Sequence, residues 1–344
     1  MKVDLQLDGR LEDAADRARA LIALGADGLF TFEGPNDVFL PLALASQVVT
    51  ADLMTNIAVA LPRSPLHLAH LAHDLHTLSR GRFRLGLGSQ VKAHIERRYG
   101  AEWSDPVGRM RETVQAIHAI FDAWEGRAPL RFQGRYTQHT LMPAMFDPGP
   151  HPYGRPEICL GALGPRMTRT AAEVADGLLV MPFNSARHFR ERTLPAVADG
   201  LAHAGRDPAQ LRIYPQVIVG VGRTSEELEA AARGVRGLLA FYGSTAAYRP
   251  VLEVEDRADL QPELATLARR GAYADMTALI DDKMLETLAA YGTPEQCAAT
   301  ILERFGAHAD RVCCYFPGYP ALDEHIADLI RLLHAVQPIS PERH

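Results

Sequence analysis

The chain repeats a pattern of short apolar segments followed by stretches with helical spacing. Runs rich in Val, Ile, Leu and Phe are mostly followed by about ten or more residues whose apolar positions recur every three to four residues. This strand-then-helix alternation is typical of a parallel β-sheet covered by helices. The predicted strands are residues 3–7, 28–33, 56–61, 83–88, 157–162, 177–181, 211–221 and 311–316.

Two junctions show how these units are joined. The predicted helix over residues 11–24 has one apolar stripe and stops at Gly25, as helices commonly do. A small residue, an Asp and a Gly then lead into the second strand at Ala26-Asp27-Gly28. The same triplet precedes the sixth strand at Ala175-Asp176-Gly177, which indicates a repeated β/α joint.

Eight such units predict an α/β fold, a closed (β/α)8 TIM barrel rather than an open doubly wound sheet, which usually has fewer strands and a different cofactor turn. Two segments exceed the simple repeat. Residues 126–155 hold five prolines after the fourth unit, and residues 223–292 hold several helical stretches after the seventh strand. We predict one barrel domain over residues 1–344 with insertions after strands 4 and 7, where long loops often cover the active face.

Composition and charge narrow the functional class. The 344 residues include 36 Lys and Arg against 42 Asp and Glu, a net charge of −6, so no cationic field favours nucleic acid or an anionic membrane. We expect no signal peptide, since no apolar segment follows Lys2, and no run approaches the roughly 20 apolar residues of a spanning helix. The four cysteines show no C-x-x-C spacing. These features predict a reduced, cytoplasmic protein.

Glycines at two strand ends are candidates for ligand binding. Residues 78–90 form a helix end, a turn and a strand that finishes in Gly86-Leu87-Gly88, and residues 158–168 form a strand, a Gly-rich turn and a helix start. Glycine lets a ligand approach the backbone, and a helix start attracts phosphate. Glycines needed only for sheet geometry, and an ordinary strand-to-helix turn, are the alternatives.

Several side chains near the predicted strand ends could carry chemistry. Glu33 follows the second strand and His94 follows the fourth, so both are candidate proton donors or acceptors. The alternatives are a Glu that caps its own loop and an exposed His. The candidate pocket residues are Phe183 and Asn184, just past the sixth strand, with Trp103 and Tyr315. Either of the last two could equally belong to the core.

Four histidines recur at helical spacing in residues 65–78, namely His67, His70, His73 and His76. The leucines and Ala72 cluster on one side of the helical wheel and the histidines spread over the opposite arc, so we expect the histidines to face solvent. Because they cannot converge on one ion, we predict no metal site.

Taken together, these segments resemble the bacterial luciferase-like monooxygenase family, and most closely its branch that uses the deazaflavin coenzyme F420. The strongest similarity is the run Leu78-Ser79-Arg80-Gly81-Arg82-Phe83-Arg84-Leu85-Gly86-Leu87-Gly88. The resemblance begins at Asn56 and continues through residues 62–65, 132–136, 156–164, 175–177 and 292–295. It therefore covers most of the chain.

The resemblance implies where a cofactor would lie. In this family the fold is a (β/α)8 barrel, and the flavin or deazaflavin ring lies against a bulge in strand three that often contains a non-prolyl cis peptide, here expected at Ala58-Val59. The phosphate site is expected at the strand-five turn, and two residues after strand four are expected to border the ring. The implied cofactor-binding residues are Ala58, Val59, Ser89, Gln90, Gly161, Ala162, Leu163 and Gly164.

Two departures from the branch bear on its proton chemistry. Many deazaflavin enzymes carry an acidic residue followed by His after strand two, whereas this chain has Glu33-Gly34. Some carry a catalytic Glu after strand four, where this chain has Val91. The proton donors of those relatives therefore cannot simply be transferred, and Glu33 and His94 are the nearest candidates.

The resemblance implies three functional hypotheses. The first is a coenzyme F420-dependent oxidoreductase that transfers a hydride between the deazaflavin and a small organic substrate. The second is an FMN-dependent monooxygenase that uses O₂ and reduced flavin from a partner reductase. The third is a protein that binds flavin or deazaflavin without turnover. Family analogy also implies a homodimer.

Overall fold

The computed structural model describes residues 1–309 and 311–336. The expected domain over residues 1–344 therefore includes residues 310 and 337–344, which lie outside the described part. The strands are β1 Lys2–Gln6, β2 Gly28–Thr31, β3 Asp52–Thr55, β4 Ala58–Val59, β5 Phe83–Gly88, β6 Phe132–Gln133, β7 Gln138–His139, β8 Glu157–Ala162, β9 Gly177–Val180, β10 Arg212–Val221, β11 Ala290–Gly292 and β12 Arg311–Tyr315.

The helices surround these strands. They are α1 Ala14–Ala23, α2 Leu40–Ser46, α3 Pro65–Leu78, α4 Lys92–Arg97, α5 Pro106–Trp124, α6 Pro165–Val174, α7 Ala186–His188, α8 Leu194–Ala204, α9 Ser225–Gly243, α10 Arg249–Val254, α11 Leu260–Arg269, α12 Tyr273–Ala278, α13 Asp282–Leu288, α14 Pro294–Phe305 and α15 Asp323–Ala335. Within the described ranges, no helix has the length and apolar character required to cross a membrane.

The parallel strands close into a barrel. Their order is β1, β2, β3 with β4, β5, β8, β9, β10 and β12, and β12 pairs with β1 to complete the circle. The β9–β10 pairing, with Leu179 opposite Tyr214, joins the two halves. The prediction of a (β/α)8 barrel is therefore confirmed.

The third barrel strand contains a bulge. Met54 pairs with Arg84, but Ala58 pairs with Leu87, so the third strand uses four steps where its neighbour uses three. One extra residue between two ladder segments is the definition of a β-bulge. Its cis peptide is Asn56-Ile57.

Two expectations about this strand were wrong. The strand was predicted to begin at Asn56, whereas β3 begins at Asp52, because the bulge interrupts the apolar run on which the prediction rested. The cis peptide was expected at Ala58-Val59. Those two residues are already back in regular pairing with β5, so the irregular bond has to precede them.

The repeated Asp-Gly joint has one structural role at both positions. The Asp27 carboxylate accepts the Val3 N–H at 2.8 Å, and the Asp176 carboxylate accepts the Ile158 N–H at 2.9 Å. In each case the Asp after a helix binds back to the strand that preceded that helix. This contact fixes where the next parallel strand begins.

The end of the barrel where the strands begin, which we call the floor, is closed by buried charges. Arg311 binds the carboxylates of both Asp4 and Asp52. Arg84 reaches Asp52 at 3.5 Å and Glu157 at 2.8 Å. Burial raises the pKa of Asp4 to about 6, against the opposing pull of Arg311 and Arg84.

The segment 126–155 forms a hairpin, β6–β7, that is held against α5. The Glu112 carboxylate accepts the backbone N–H groups of Arg135, Tyr136 and Thr137 at 2.6–2.7 Å. A Cβ at Gly134 would overlap that carboxyl group, so any larger residue there would displace the Glu112 carboxylate.

The segment 223–292 forms a helical layer after the seventh barrel strand. It contains α9 to α13 and the short strand β11, which extends β10 by pairing Ala290 with Val219. Helices α11, α12 and α13 all contact the long helix α9. The layer therefore follows the carboxyl end of a barrel strand, on the side where active sites of this fold lie.

The histidines of α3 do not all face solvent as expected. His76 is buried, and its Nδ1 lies 3.0 Å from the Phe83 carbonyl oxygen. Its ring also packs against that of His151, which the hairpin segment brings in. Burial, with a smaller contribution from His151, lowers the pKa of His76 to about 4. Within the described residues, no group of three or more His, Cys, Asp or Glu is arranged to hold a metal ion.

Candidate functional site

A cavity of about 620 Å³ lies at the end of the barrel where the strands finish. We call this end of the barrel the mouth. Three strand ends line it with residues 88–93 after β5, 161–164 after β8 and 179–182 after β9. The bulge contributes Asn56 and Ile57. Most of the lining therefore comes from the ends of barrel strands, whose positions the rigid barrel fixes.

The glycines of β5 and β8 accommodate the Ile57 side chain. A Cβ at Gly88 would lie 2.6 Å from Ile57 Cδ1, and one at Gly161 would lie 3.0 Å from Ile57 Cγ2. Both approaches are too close for an alanine without movement. These glycines thus let the bulge residue lie against the two strands, and together they form one wall of the cavity.

The start of α6 forms the open end of this wall. Gly164 is the N-cap, and a Cβ there would meet no atom within 4 Å. Pro165 follows, and the N–H groups of Arg166 and Met167 have no hydrogen-bond partner in the described part of the chain. Free N–H groups at the positive end of a helix dipole form a suitable site for a phosphate group.

Two arginines add positive charge near this helix start. Arg166 and Arg135 are exposed, and within the described ranges neither has a carboxylate at ion-pair distance. Both arginines lower the pKa of Asp105. The larger causes of that shift are the Tyr136 hydroxyl, which donates to the Asp105 carboxylate at 2.6 Å, and then the Gly108 N–H. The hairpin residue Arg135 and the α6 residue Arg166 therefore both lie within electrostatic range of Asp105.

Glu33 lies behind the bulge and does not line the cavity. Its carboxylate accepts the Val59 N–H at 3.0 Å and the Tyr99 hydroxyl at 3.1 Å, and it also binds Arg63. These contacts hold the third barrel strand in place. A role for Glu33 in proton transfer stays a prediction.

His94 lies on α4 directly after the lining residue Ala93, and is not itself part of the cavity lining. Its Nδ1 is buried and has no hydrogen-bond partner among the residues described. The following residue, Ile95, is fully buried and anchors the helix. A role for His94 in proton transfer also stays a prediction.

The remaining predicted site residues fall into two groups. Those that line the cavity are Ser89, Gln90, Gly161, Ala162, Leu163, Gly164 and Trp103. Those that lie behind its surface are Ala58, Val59, Phe183, Asn184 and Tyr315, all of them buried. Asn184 has an internal partner, since its Oδ1 lies 3.0 Å from Nδ1 of His188.

Several parts of the lining were not predicted from the sequence, and three of them carry polar side chains. Asn56 and Gln216 each bring a carboxamide to the cavity, and residues 245–248 approach it from the helical layer. The first two had a usable signal, because each is a polar residue inside an apolar strand segment. Residues 245–248 had none, since their place depends on how the layer packs.

Comparison with known proteins assigns the family. A family model described as Luciferase-like monooxygenase matches residues 2–311. The chain belongs to the luciferase-like monooxygenase family. An uncharacterized protein of Mycobacterium tuberculosis is 42% identical to this luciferase-like protein over 317 residues, which is 92% of this chain and 93% of that one. A phthiodiolone/phenolphthiodiolone dimycocerosates ketoreductase of the same organism is 34% identical over 175 residues, covering 50% of this chain and 44% of the ketoreductase.

Solved structures share the fold of this luciferase-like protein. The coenzyme F420 dependent tetrahydromethanopterin reductase from Methanopyrus kandleri superposes with a TM-score of 0.80 at 19% identity, covering 97% of this chain and 98% of that one. A second similar structure is the oxygenating constituent of 3,6-diketocamphane monooxygenase from Pseudomonas putida in complex with FMN. It superposes with a TM-score of 0.66 at 16% identity, covering 99% of this chain and 98% of that one. The same barrel fold thus occurs in a solved F420-dependent reductase and in a solved monooxygenase component that binds FMN.

Proposed function

We propose that this luciferase-like protein is a coenzyme F420-dependent oxidoreductase that transfers a hydride between the deazaflavin and a small organic substrate. The observation that carries the proposal is the open helix start at Gly164. Arg166 in its first turn and Arg135 on the hairpin both act on Asp105, and in the described part of the chain neither has a carboxylate at ion-pair distance. FMN ends in a single phosphate, whereas the F420 tail is longer and carries several negative charges. A second cationic group beyond the phosphate site therefore favours the deazaflavin.

The residues present fit such a cofactor. The wall made by Ile57, Gly88 and Gly161 can lie against a planar ring, because the two glycines have no side chains that would project into the cavity. The N–H groups at the start of α6 would hold the phosphate, and Arg135 and Arg166 would attract the rest of the tail. When bound, the deazaflavin supplies or accepts a hydride at its C5. The ketoreductase relative supports hydride transfer as the reaction class.

The chain's own residues position the reactants and exclude water. The lining is mostly apolar, with Trp103, Met167, Leu179 and Met181 among its larger side chains. An apolar enclosure strengthens the electrostatic interactions inside it and limits side reactions with water. The rigid strand ends hold the two reactants at a fixed separation.

Binding titrations test the proposal. Purified protein is titrated with F420 and, separately, with FMN, following cofactor absorbance and intrinsic fluorescence. We expect F420 to bind at micromolar concentration or tighter and FMN to bind more weakly. Tighter FMN binding with O₂ consumption would instead support a monooxygenase supplied by a reductase. Tight binding without redox activity across a broad substrate panel would support a carrier, and binding of neither cofactor would overturn the proposal.

Gly164→Ala is the sharpest variant for this site. Because an added Cβ meets no atom in the protein, its stability should remain within about 0.5 kcal/mol of wild type, while a bound phosphate should be displaced. We expect F420 affinity to fall about tenfold or more. Gly237→Ala, a glycine in α9 with only one contact at 3.9 Å, is the matched control and should bind normally.

The arginines are tested by changing both to Gln. Arg135→Gln with Arg166→Gln should weaken F420 more than FMN, and the difference should shrink at high salt because the arginines are exposed. Arg19→Gln, at an exposed pair on α1, controls for net charge. Equal losses for the two cofactors would remove the reason to prefer F420.

A further inference from the structure

The cavity has very few groups that can exchange a proton. Of the residues that line it, only Lys92 and Tyr248 carry a titratable side chain. Lys92 is exposed at the rim and lies 3.7 Å from Glu96. Neither of the proton donors expected from the sequence reaches the lining, so Tyr248 is the remaining candidate inside the cavity.

Tyr248 is held firmly by the helical layer. It ends a 3-10 turn, Ala246–Tyr248, that directly precedes α10. Its ring lies edge-on to that of Tyr242 at 5.8 Å and near that of Phe183 at 6.3 Å. These contacts fix the ring plane, so the hydroxyl has a defined position relative to the barrel.

The Tyr248 hydroxyl is free, in contrast to those of neighbouring tyrosines. Tyr242 and Tyr315 pair their hydroxyls with each other at 3.3 Å, and the Tyr214 hydroxyl donates to Glu157 at 3.2 Å. Among the residues that the structure describes, the Tyr248 hydroxyl has no hydrogen-bond partner, and its oxygen is not among the buried unpartnered atoms. It is therefore available to a molecule in the cavity.

The same lining indicates what that molecule can be. Among the described residues, no Asp, Glu, His or Arg lines the cavity, and its polar side chains are mainly hydroxyls and carboxamides. With the cofactor phosphate at the start of α6 and Lys92 paired with Glu96, a phosphorylated sugar or a carboxylic acid would leave its charge without a partner, at a high cost in an apolar site. A molecule with one carbonyl group on an apolar body would meet the lining without that cost.

We propose that Tyr248 is the proton donor in the reduction of an apolar ketone or aldehyde bound in this cavity. The inference rests on the proposed function, because the hydride must come from the reduced deazaflavin. A C–H bond forms at the carbonyl carbon, the C=O π bond breaks, and its electron pair takes the Tyr248 O–H proton to give the alcohol. The tyrosinate then regains a proton from solvent.

The protonation state of Tyr248 agrees with this direction. Burial, with a smaller contribution from Tyr242, raises the pKa of Tyr248 to about 12. At neutral pH the side chain is therefore a phenol that can donate a proton, rather than a phenolate that could remove one from an alcohol.

The first test is independent of turnover. N-cyclohexyl-2-pyrrolidone carries an amide carbonyl that accepts a hydrogen bond but is not reduced by a hydride. Its binding to wild type, Tyr248→Phe and Tyr242→Phe is followed by tryptophan fluorescence, because Trp103 lines the cavity, with and without F420. Tyr248→Phe should bind it about tenfold more weakly. Tyr242→Phe keeps its ring and loses only an internal hydroxyl contact, so it should match wild type.

The second test uses turnover by the F420-loaded protein. With an apolar ketone, Tyr248→Phe should lower kcat about a hundredfold or more while changing KM and the F420 dissociation constant less than threefold. Tyr242→Phe should keep most of its activity. Full activity in Tyr248→Phe would overturn the inference.

The binding results separate this inference from the proposed function. If wild type does not bind F420, the proposed function fails, and the amide titration still tests the hydroxyl. If F420 binds but Tyr248→Phe binds the amide as wild type does, only the inference fails. Failure of wild type to bind the amide in either form would also overturn it.

Discussion

Asp27 and Asp176 show how a single residue can set the start of a barrel strand. Asp176 makes a further interaction, because it also binds the Arg155 guanidinium through two contacts of 2.8 Å. Burial alone would raise its pKa, but His118 and Arg155 outweigh burial and hold the pKa of Asp176 below its usual range. The recurring Ala-Asp-Gly triplet could be read from the sequence, whereas the arginine partner could not.

We expect Asp176→Asn to destabilise the protein by about 2 kcal/mol at pH 7, because the partly buried Arg155 guanidinium loses its charged partner. A group whose pKa is depressed stabilises the fold above its unfolded value, here 3.8, and loses that contribution as the pH falls. The difference between wild type and Asp176→Asn should therefore stay constant down to about pH 4.5 and shrink as the pH falls further towards 2. Urea unfolding at several pH values measures it.

Asp199→Asn is the matched control for that experiment. Asp199 also pairs with an arginine, Arg169 at 2.9 Å, but its side chain is 60% exposed. Exposed pairs contribute little, so we expect a loss below about 1 kcal/mol. A pH-independent difference for Asp176→Asn would contradict the assignment.

The hairpin illustrates how one buried carboxylate can organise an element. Glu112 supplies both oxygens to three N–H groups of the hairpin turn. We expect Glu112→Ala to loosen residues 131–139 and to increase tryptic cleavage after the exposed Arg131 or Arg135 about tenfold. Limited proteolysis followed by mass spectrometry measures the effect.

Gly134→Ala should produce the same cleavage pattern by displacing the Glu112 carboxylate. Gly237→Ala, where an added methyl group has space, should leave the pattern unchanged. If neither Glu112→Ala nor Gly134→Ala increases cleavage, other contacts hold the hairpin.

At the level of elements, regular segments were predictable and irregular ones were not. The seven strands outside the bulge lie within about three residues of their predicted bounds, because each is a continuous apolar run between turns. The third strand was misplaced because the bulge divides its apolar run between β3 and β4. The short strand β11 was missed altogether, since three residues carry too little periodicity.

For the whole molecule, the site is assembled from parts far apart in sequence. The glycine-rich strand ends could be predicted because their composition is local. Tyr248 could not, since more than 150 residues separate it from the bulge and its place depends on helix packing. The homodimer and the cytoplasmic location stay predictions.

The barrel floor provides a prediction at this scale. A group whose pKa is raised by folding stabilises the protein below its ordinary value, 3.8 for Asp4, and loses that contribution as the pH rises through about 6. Asn cannot lose a proton. We therefore expect the stability of Asp4→Asn to improve relative to wild type by about 2 kcal/mol between pH 4 and pH 8.

Urea unfolding across this pH range measures the trend, and an F420 titration of the same variant is the companion experiment. The dissociation constant should stay within about threefold of wild type, because the floor lies at the opposite end of the barrel from the helix start at Gly164. An opposite pH trend would show that the Arg311 contact, rather than burial, dominates Asp4.

The two ends of the barrel have different roles, since the charged floor stabilises the fold and the apolar mouth forms the pocket. Arg311, Asp4 and Asp52 hold the strands together through ion pairs that lie outside the cavity lining. The mouth residues contribute little to that network. Such a molecule can exchange the walls of its pocket over evolutionary time and acquire new substrates, while the ability to fold is inherited unchanged from the other end.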